Sequence, residues 1–408
     1  FGSSSMTGDL SVQTLNLSGL SSDFEFYAND IDLAGITMGT GSILAHAIDN
    51  GADYGDLIFS ANITRAVNGV ATLDLRADNN IKNTNSADIL ATDSNSDGDA
   101  NAATDANSLT VILNANRATI ANRGGVSLNG ATITTLGGDF VAGGDTDPYN
   151  KSTLGNGSSG FSRNGVHLKS SNINTLNGLI SLRGEGLLGS GSGVYLENSN
   201  LITSGIITLD GKSRSYNNAG VFLKNSIIQS SSSGGLANGI NISGLGQMSI
   251  AVGDVRGIYL QNSDLLSVDG NIVLTGTTEN VSSGTRDGLA GIELEIGSTI
   301  IASGTGNITL DGTAGLGVNN NYGVYLKDVS TLISTNNGLL TIDATGGGTG
   351  TDNDGLRMDT AHLQSNGDII VTAQPTSVGT GAGITLLNSS TIGLGATATN
   401  VNIITDTI

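Results

Sequence analysis

The sequence predicts an all-β protein, a right-handed parallel β-helix with roughly three short strands per coil. Three observations predict it. A glycine-led phrase recurs about every thirty residues. Apolar and polar residues alternate with period two inside each phrase. A helical period of 3.6 is missing almost everywhere.

The recurring unit is clearest from residue 165 onward. Gly193-Val194-Tyr195-Leu196-Glu197-Asn198-Ser199 is followed by Gly220-Val221-Phe222-Leu223-Lys224-Asn225-Ser226. Gly257-Ile258-Tyr259-Leu260-Gln261-Asn262-Ser263 and Gly323-Val324-Tyr325-Leu326-Lys327-Asp328 continue it, with weaker copies at Gly165, Gly291, Gly355 and Gly383. These glycines lie 28, 27, 37, 34, 32, 32 and 28 residues apart, so the variation must sit in loops. The 37-residue interval contains Gly239-Ile240-Asn241-Ile242, which reads as a loop excursion or as a short extra coil. In the unit at Gly193 the strands are expected over 194–196, 200–203 and 206–209. A single coil cannot bury its own apolar face, and stacked neighbours complete the core. Parallel crossovers are right-handed by strong preference, which sets the expected hand.

Glycine and asparagine are expected at the corners, where positive φ costs them little. Asn198, Asn225, Asn262 and Asn388 each follow a marker glycine by five residues. Their amides can bond up and down the stack. Equally, asparagine simply tolerates the bend.

Composition narrows the function. Glycine is 61 of 408 residues but proline only 2, so collagen is out. The charged share of 13% is low for a disordered tail. A net charge of −20 repels phosphate backbones and anionic lipid surfaces, excluding nucleic acid as an expected partner. No apolar run is long enough to span a membrane as a helix, so no membrane insertion is expected. Cysteine is absent, which removes disulfides, thiolate metal sites and cysteine nucleophiles. Tryptophan is absent too, which disfavours a deep saccharide cleft.

Three features are candidate sites. In each repeat the first and third residues after the glycine are apolar and must face inward together, so the second faces outward. Those second residues are His167, Tyr195, Phe222, Tyr259, Glu293, Tyr325, Arg357 and Thr385. The aromatic members Tyr195, Phe222, Tyr259 and Tyr325 form a discontinuous external ladder. They serve as a binding face for a glycan or a neighbouring rod, or as cross-strand stacking between coils. Asp93, Asn95, Asp97 and Asp99 flank Gly98 with oxygen donors at alternate positions, a spacing that can wrap Ca2+. Thr104 stands where an EF-hand has glutamate, so the same residues also read as a solvated acidic loop. No other cofactor is expected. Residues 144–164, rich in glycine, serine and asparagine, read as a protruding loop. No carboxylate cluster with a basic partner is expected on one face, and His46, His167 and His362 are scattered, so no enzyme is expected.

The first 144 residues repeat another phrase, apolar-x-apolar-x-Ala-Asn/Asp, at 24–29, 57–62, 73–78 and 111–116. Together with Gly124-Gly125-Val126-Ser127-Leu128 and Ile133-Thr134-Thr135-Leu136-Gly137-Gly138-Asp139-Phe140, this resembles the filamentous haemagglutinin-like large adhesins of the two-partner secretion type. The resemblance implies a secreted or surface-attached β-helical rod that acts in adhesion or aggregation. Expected partners are glycans or proteins of a host or neighbouring cell, with self-association into fibres as a further option. Residues 1–408 then form one continuous β-helix, with one repeat style over 1–143 and another over 165–408, as a section of a longer rod. A polymerising fibre subunit and a β-helical polysaccharide-active enzyme are the alternative readings.

Overall fold

A computed structural model describes residues 8–50, 54–92, 108–116, 124–156, 163–189, 191–215, 217–232, 238–247, 253–279, 287–375, 380–394 and 400–406. Among them the chain is all-β, and the strands pair in parallel. No helix is long and apolar enough to cross a membrane. The pairing partner of a strand lies about one repeat away, a β-solenoid-like arrangement. The chain divides into two compact units, Phe1–Glu185 with Glu197–Gly205, and Gly186–Leu196 with Ile206–Ile408.

The first unit begins with long strands. Leu10–Asn16, Ile31–Met38 and Leu57–Arg65 pair in succession. Phe24–Ala28, Ile43–Ala47, Ala71–Ala77, Leu109–Ala115, Phe140–Gly144 and Ile180–Glu185 form a second ladder. So two strands, not three, alternate per repeat as far as Arg65. There the architecture changes. The front of Leu57–Arg65 pairs with Ile81–Asn83, and its end pairs with Ile89–Ala91. These two short strands seed separate ladders, through Val126–Asn129 to Val166–Lys169 and through Thr132–Thr134 to Asn200–Thr203. The first two long strands bend at a single residue, Thr14 and Gly35 with φ of 46° and 95°, and the split follows where Thr84 to Asp88 supplies a longer corner.

The alanine phrases mostly share one ladder. Ala28, Ala47 and Ala77 stand in register and are buried. The phrase at 57–62 belongs to the other ladder, and its Ala61 is exposed beside a register shift. Of the loop expected over 144–164, Thr153–Leu154 is a short strand against Gly184–Glu185. Thr153 Oγ1 donates to Gly124 O at 2.6 Å, and Arg183 Nε donates to Tyr149 O at 2.6 Å. This part is held against its neighbours; residues 157–162 lie outside the described set.

In the second unit three ladders run side by side. Asn218–Lys224, Val255–Gln261, Leu289–Glu295, Tyr322–Lys327, Leu356–Asp359 and Ile384–Leu387 make the first. The second runs from Ile227–Ser230 through Asp264–Ser267, Thr299–Ala302, Leu332–Thr335 and His362–Ser365 to Thr391–Leu394. The third starts at Ile207–Ser213, continues through Asn238–Gly246 and Asn271–Thr278, and includes Ile308–Thr313 and Leu340–Thr345. Among its described residues the 37-residue interval holds one strand of each ladder and no extra coil. Its Gly239-Ile240-Asn241-Ile242 is simply the third strand of that repeat. Inward positions such as Ile258, Leu260, Ile292 and Leu294 have no solvent exposure.

Four of the marker glycines, Gly165, Gly193, Gly355 and Gly383, sit at bends just before their strands, and the other four do not sit at corners. Gly220, Gly257, Gly291 and Gly323 lie within strands of the first ladder, where the third ladder's backbone approaches closely. Their opposite numbers are glycines as well: a methyl on Gly244 would stand 2.1 Å from Gly257 O, and one on Gly276 2.2 Å from Gly291 O. Glycine is required by contact rather than by φ.

The corners are occupied as expected. Asn198, Asn225, Asn262 and Asn388 have φ of 51°, 49°, 46° and 49°. Asn262 Nδ2 also donates to Asn225 Oδ1 at 2.9 Å, and Asn388 Nδ2 to Asp359 Oδ1 at 2.7 Å. Backbone tolerance and amide bonding thus coexist. The next position carries a buried serine relay. Ser226 N–H donates to Ser263 Oγ at 3.1 Å, and Ser263 N–H donates to Ser298 Oγ at 3.2 Å. Each serine satisfies an amide that the bend removes from the ladder.

Ile296 breaks the corner rule, with φ of 53° on a β-branched residue that is 51% exposed. Left-handed backbone costs such a residue about 1–2 kcal/mol. Ile296→Asn is expected to raise stability by about 1 kcal/mol. A urea titration would show this as a higher midpoint at unchanged slope.

Candidate functional site

The outward column of the first ladder is in register in the second unit. Phe222 pairs with Tyr259, Tyr259 with Glu293, Glu293 with Tyr325, and Tyr325 with Arg357. Tyr195 and Phe222 stack at 4.9 Å between centroids, and Phe222 and Tyr259 at 4.6 Å, both with planes 18° apart. Those spacings match the distance between adjacent strands, so one ring occupies each rung. Cross-strand stacking is therefore present, and the rings are half-buried.

Glu293 interrupts the aromatic column and is only 4% exposed. Its two oxygens hold two cations, Arg256 Nε at 2.5 Å and Lys327 Nζ at 2.8 Å. Lys327 also bridges to Glu295, which accepts bonds from the Tyr259 hydroxyl and from Gln261 Nε2. Arg256 lies 4.4 Å over the Tyr259 ring, and Lys327 5.3 Å from the Tyr325 centroid. Burial opposes the charge on Arg256 and Lys327, yet Glu293 and its neighbours outweigh it and hold both pKa values above the ordinary range. Burial also works against the Glu295 carboxylate, but Lys327 and the Tyr259 hydroxyl pull its pKa down. The Tyr259 phenol is pushed up by burial and then by Glu295, so it stays a donor.

Sequence reasoning expected no carboxylates with basic partners on one face. The structure corrects this: Arg256, Glu293, Glu295 and Lys327 meet across three adjacent strands. They escaped notice because the partners stand at other offsets. Arg256 and Tyr322 each precede a marker glycine by one residue, while Glu295 and Lys327 follow one by four. Aligning the position four after each glycine shows alternating charge, with Lys169, Glu197, Lys224, Glu295, Lys327 and Asp359.

Tyr325 does not join the three-ring stack. It packs on Tyr322 at 4.7 Å with planes 50° apart, and Arg357 lies 5.3 Å from the Tyr322 centroid. Beside this pair the surface dips into a hollow of about 270 Å³, bordered by Arg256, Ala290, Tyr322, Tyr325, Asp254 and Asp287. The Ca2+ candidates Asp93, Asn95, Asp97 and Asp99 lie outside the described residues. Among the described residues no group of three or more His, Asp or Glu side chains could hold a metal ion.

His167, the first member of the outward column, belongs to the first unit. Burial pulls its pKa down to about 4, against a partial opposing pull from Glu197. The unfolded side chain titrates near its ordinary value, so between about pH 6.5 and 4 the unfolded state binds a proton that the folded state refuses. Stability should be full above that window and fall by roughly 2–3 kcal/mol across it. Unfolding midpoints of wild type and His167→Gln, measured from pH 7 to 4, should separate as the wild-type slope disappears in the variant.

Comparison with protein-family models, with curated proteins and with solved structures finds no match to this chain.

Proposed function

We propose that the chain is a non-enzymatic adhesin of the filamentous haemagglutinin-like kind, secreted or held at a cell surface. In this reading its parallel strands wind as a right-handed β-helix, with about three strands per coil beyond the first repeats. The hand rests on the preference of parallel crossovers. The observation that carries the reading is the aromatic stack Tyr195–Phe222–Tyr259, which places three half-buried rings on one outward column. Repetition suits adhesion, because several weak contacts on one scaffold give strong overall attachment. The partners are glycans or proteins of a host or neighbouring cell, and Asp93, Asn95, Asp97 and Asp99 are the proposed ligands of a Ca2+ ion.

The test is glycan-array binding by the purified chain. Capture that disappears in Tyr195→Ala plus Tyr259→Ala supports the aromatic face; capture unchanged by both substitutions removes it.

The Arg256–Glu293–Lys327 cluster beside a hollow favours a second reading, a polysaccharide-active enzyme. Against it, both cations and Glu293 are engaged with each other, which leaves Glu293 itself no free position from which to act as a base. Release of reducing sugars from acidic polysaccharides would reverse this preference.

A further inference from the structure

The outward columns of the second unit are filled unevenly. One column reads Tyr259, Glu293, Tyr325 on consecutive strands; its neighbour reads Arg256, Ala290, Tyr322. Adjacent strands are about 4.8 Å apart, so Arg256 and Tyr322 leave about 9.6 Å between their attachment points. In the aromatic stack each rung carries a ring. At Ala290 the rung carries a methyl, and the hollow of about 270 Å³ lies over it.

We propose that this slot holds one uncharged pyranose ring of a glycan. The assignment rests on reading this face as adhesive, and it moves the contact from the stacked rings to the gap beyond them. The volume falls just short of the roughly 300 Å³ at which drug-sized pockets begin, which suits a single ring. Of the two tyrosines that line the hollow, Tyr322 is only 7% exposed, so Tyr325 supplies the aromatic surface on which the C–H face of a sugar packs.

The charges select against an anion. Arg256 and Lys327 are already bridged to Glu293 and Glu295, so they offer no surplus positive field. Asp254, with 55% of its side chain exposed, also pairs with Arg256 at 3.1 Å, and Asp287 adds a second carboxylate to the lining, so negative charge is in excess. Asp287 is fixed in place by the Asn319 N–H at 2.8 Å. A carboxylate accepts about four hydrogen bonds, so both retain capacity for hydroxyl donors. Uronates, sialic acids and phosphates would meet like charge there.

Calorimetric titration of the full chain with methyl glycosides of glucose, galactose and N-acetylglucosamine tests this, with a methyl glucuronide as the charged probe. At least one neutral glycoside is expected to bind with a roughly millimolar Kd, as befits one ring, and the glucuronide at least about tenfold more weakly. Ala290→Phe fills the rung and should abolish binding. Asp287→Ala, at an exposed position that should not disturb folding, should weaken it about tenfold. No binding by any neutral glycoside overturns the proposal, as does binding that survives both substitutions. If both variants keep a glycan capture that Tyr195→Ala plus Tyr259→Ala removes, the slot is wrong and the adhesive face stands. If wild type captures no glycan on the array, both fall.

Discussion

Gly257→Ala should destabilise the second unit by about 3 kcal/mol or more, the upper end of what overpacking costs. Two effects compete. Alanine restricts the unfolded chain, which on its own would stabilise by about 0.4–1 kcal/mol. Against that, the added methyl would stand 2.3 Å from Thr277 N, 2.6 Å from Gly291 O and 2.8 Å from Gly244 O. All three are backbone atoms in paired strands, so no side chain can swing aside. Relief requires the two ladders to part, which breaks contacts in the repeats above and below. The steric term wins. Gly393→Ala is the control, because the nearest atom to its added methyl is Leu363 O at 3.9 Å. There the unfolded-state effect should dominate and stability should hold or rise slightly. Denaturant midpoints of the two variants should move in opposite directions, or one should move strongly while the other stays still.

Glu293→Ala should cost about 3 kcal/mol, near the low end of the range for breaking a buried ion pair. The loss comes from stranding charge, not from a missing attraction. Arg256, with 12% of its side chain exposed, would keep only Asp254, and Lys327 would keep only Glu295. A partly wet Lys327 softens the penalty, which is why the upper end is not expected. Replacing Arg256→Met and Glu293→Leu together, with Lys327 left on Glu295, should cost much less than Glu293→Ala alone. Thermal or denaturant unfolding of the single and double variants checks the order. A double variant less stable than the single one would mean that the charges bind the stack together directly.

Much of this architecture was readable from spacing. The period-two alternation around Val194, Leu196, Ile258 and Leu260 placed the core, and the residues between them placed Tyr195, Phe222 and Tyr259 on one outward column. The marker glycine was also visible, but its reason was not. A repeat shows that glycine is needed at 257; only the approach of Gly244 from the third ladder shows that contact, not φ, demands it. The first sixty residues escaped for a related cause. Leu57–Arg65 alternates at both ends and breaks at the exposed Ala61 and Asn62, and such a break alone does not say that one strand will pair with two. The ion cluster lay at offsets outside the phrase being compared. Tyr322 was missed for that reason too, although it forms the wall of the hollow.

The central claim is that successive repeats lie side by side in register, each shielding the next. An absence of native cysteine makes this directly testable by paired cysteine cross-linking. Gln229 pairs with Leu266, and Leu266 with Ile301, on outward positions of the second ladder. Gln229→Cys with Leu266→Cys, and Leu266→Cys with Ile301→Cys, should both form disulfides, because neighbouring parallel strands bring Cα atoms within the roughly 4.4–6.8 Å that a disulfide spans. Gln229→Cys with Ile301→Cys is two strands apart, about 9.6 Å, and should not. Disulfides in the third pair, or none in the first two, would contradict the stacked arrangement on which every outward column depends.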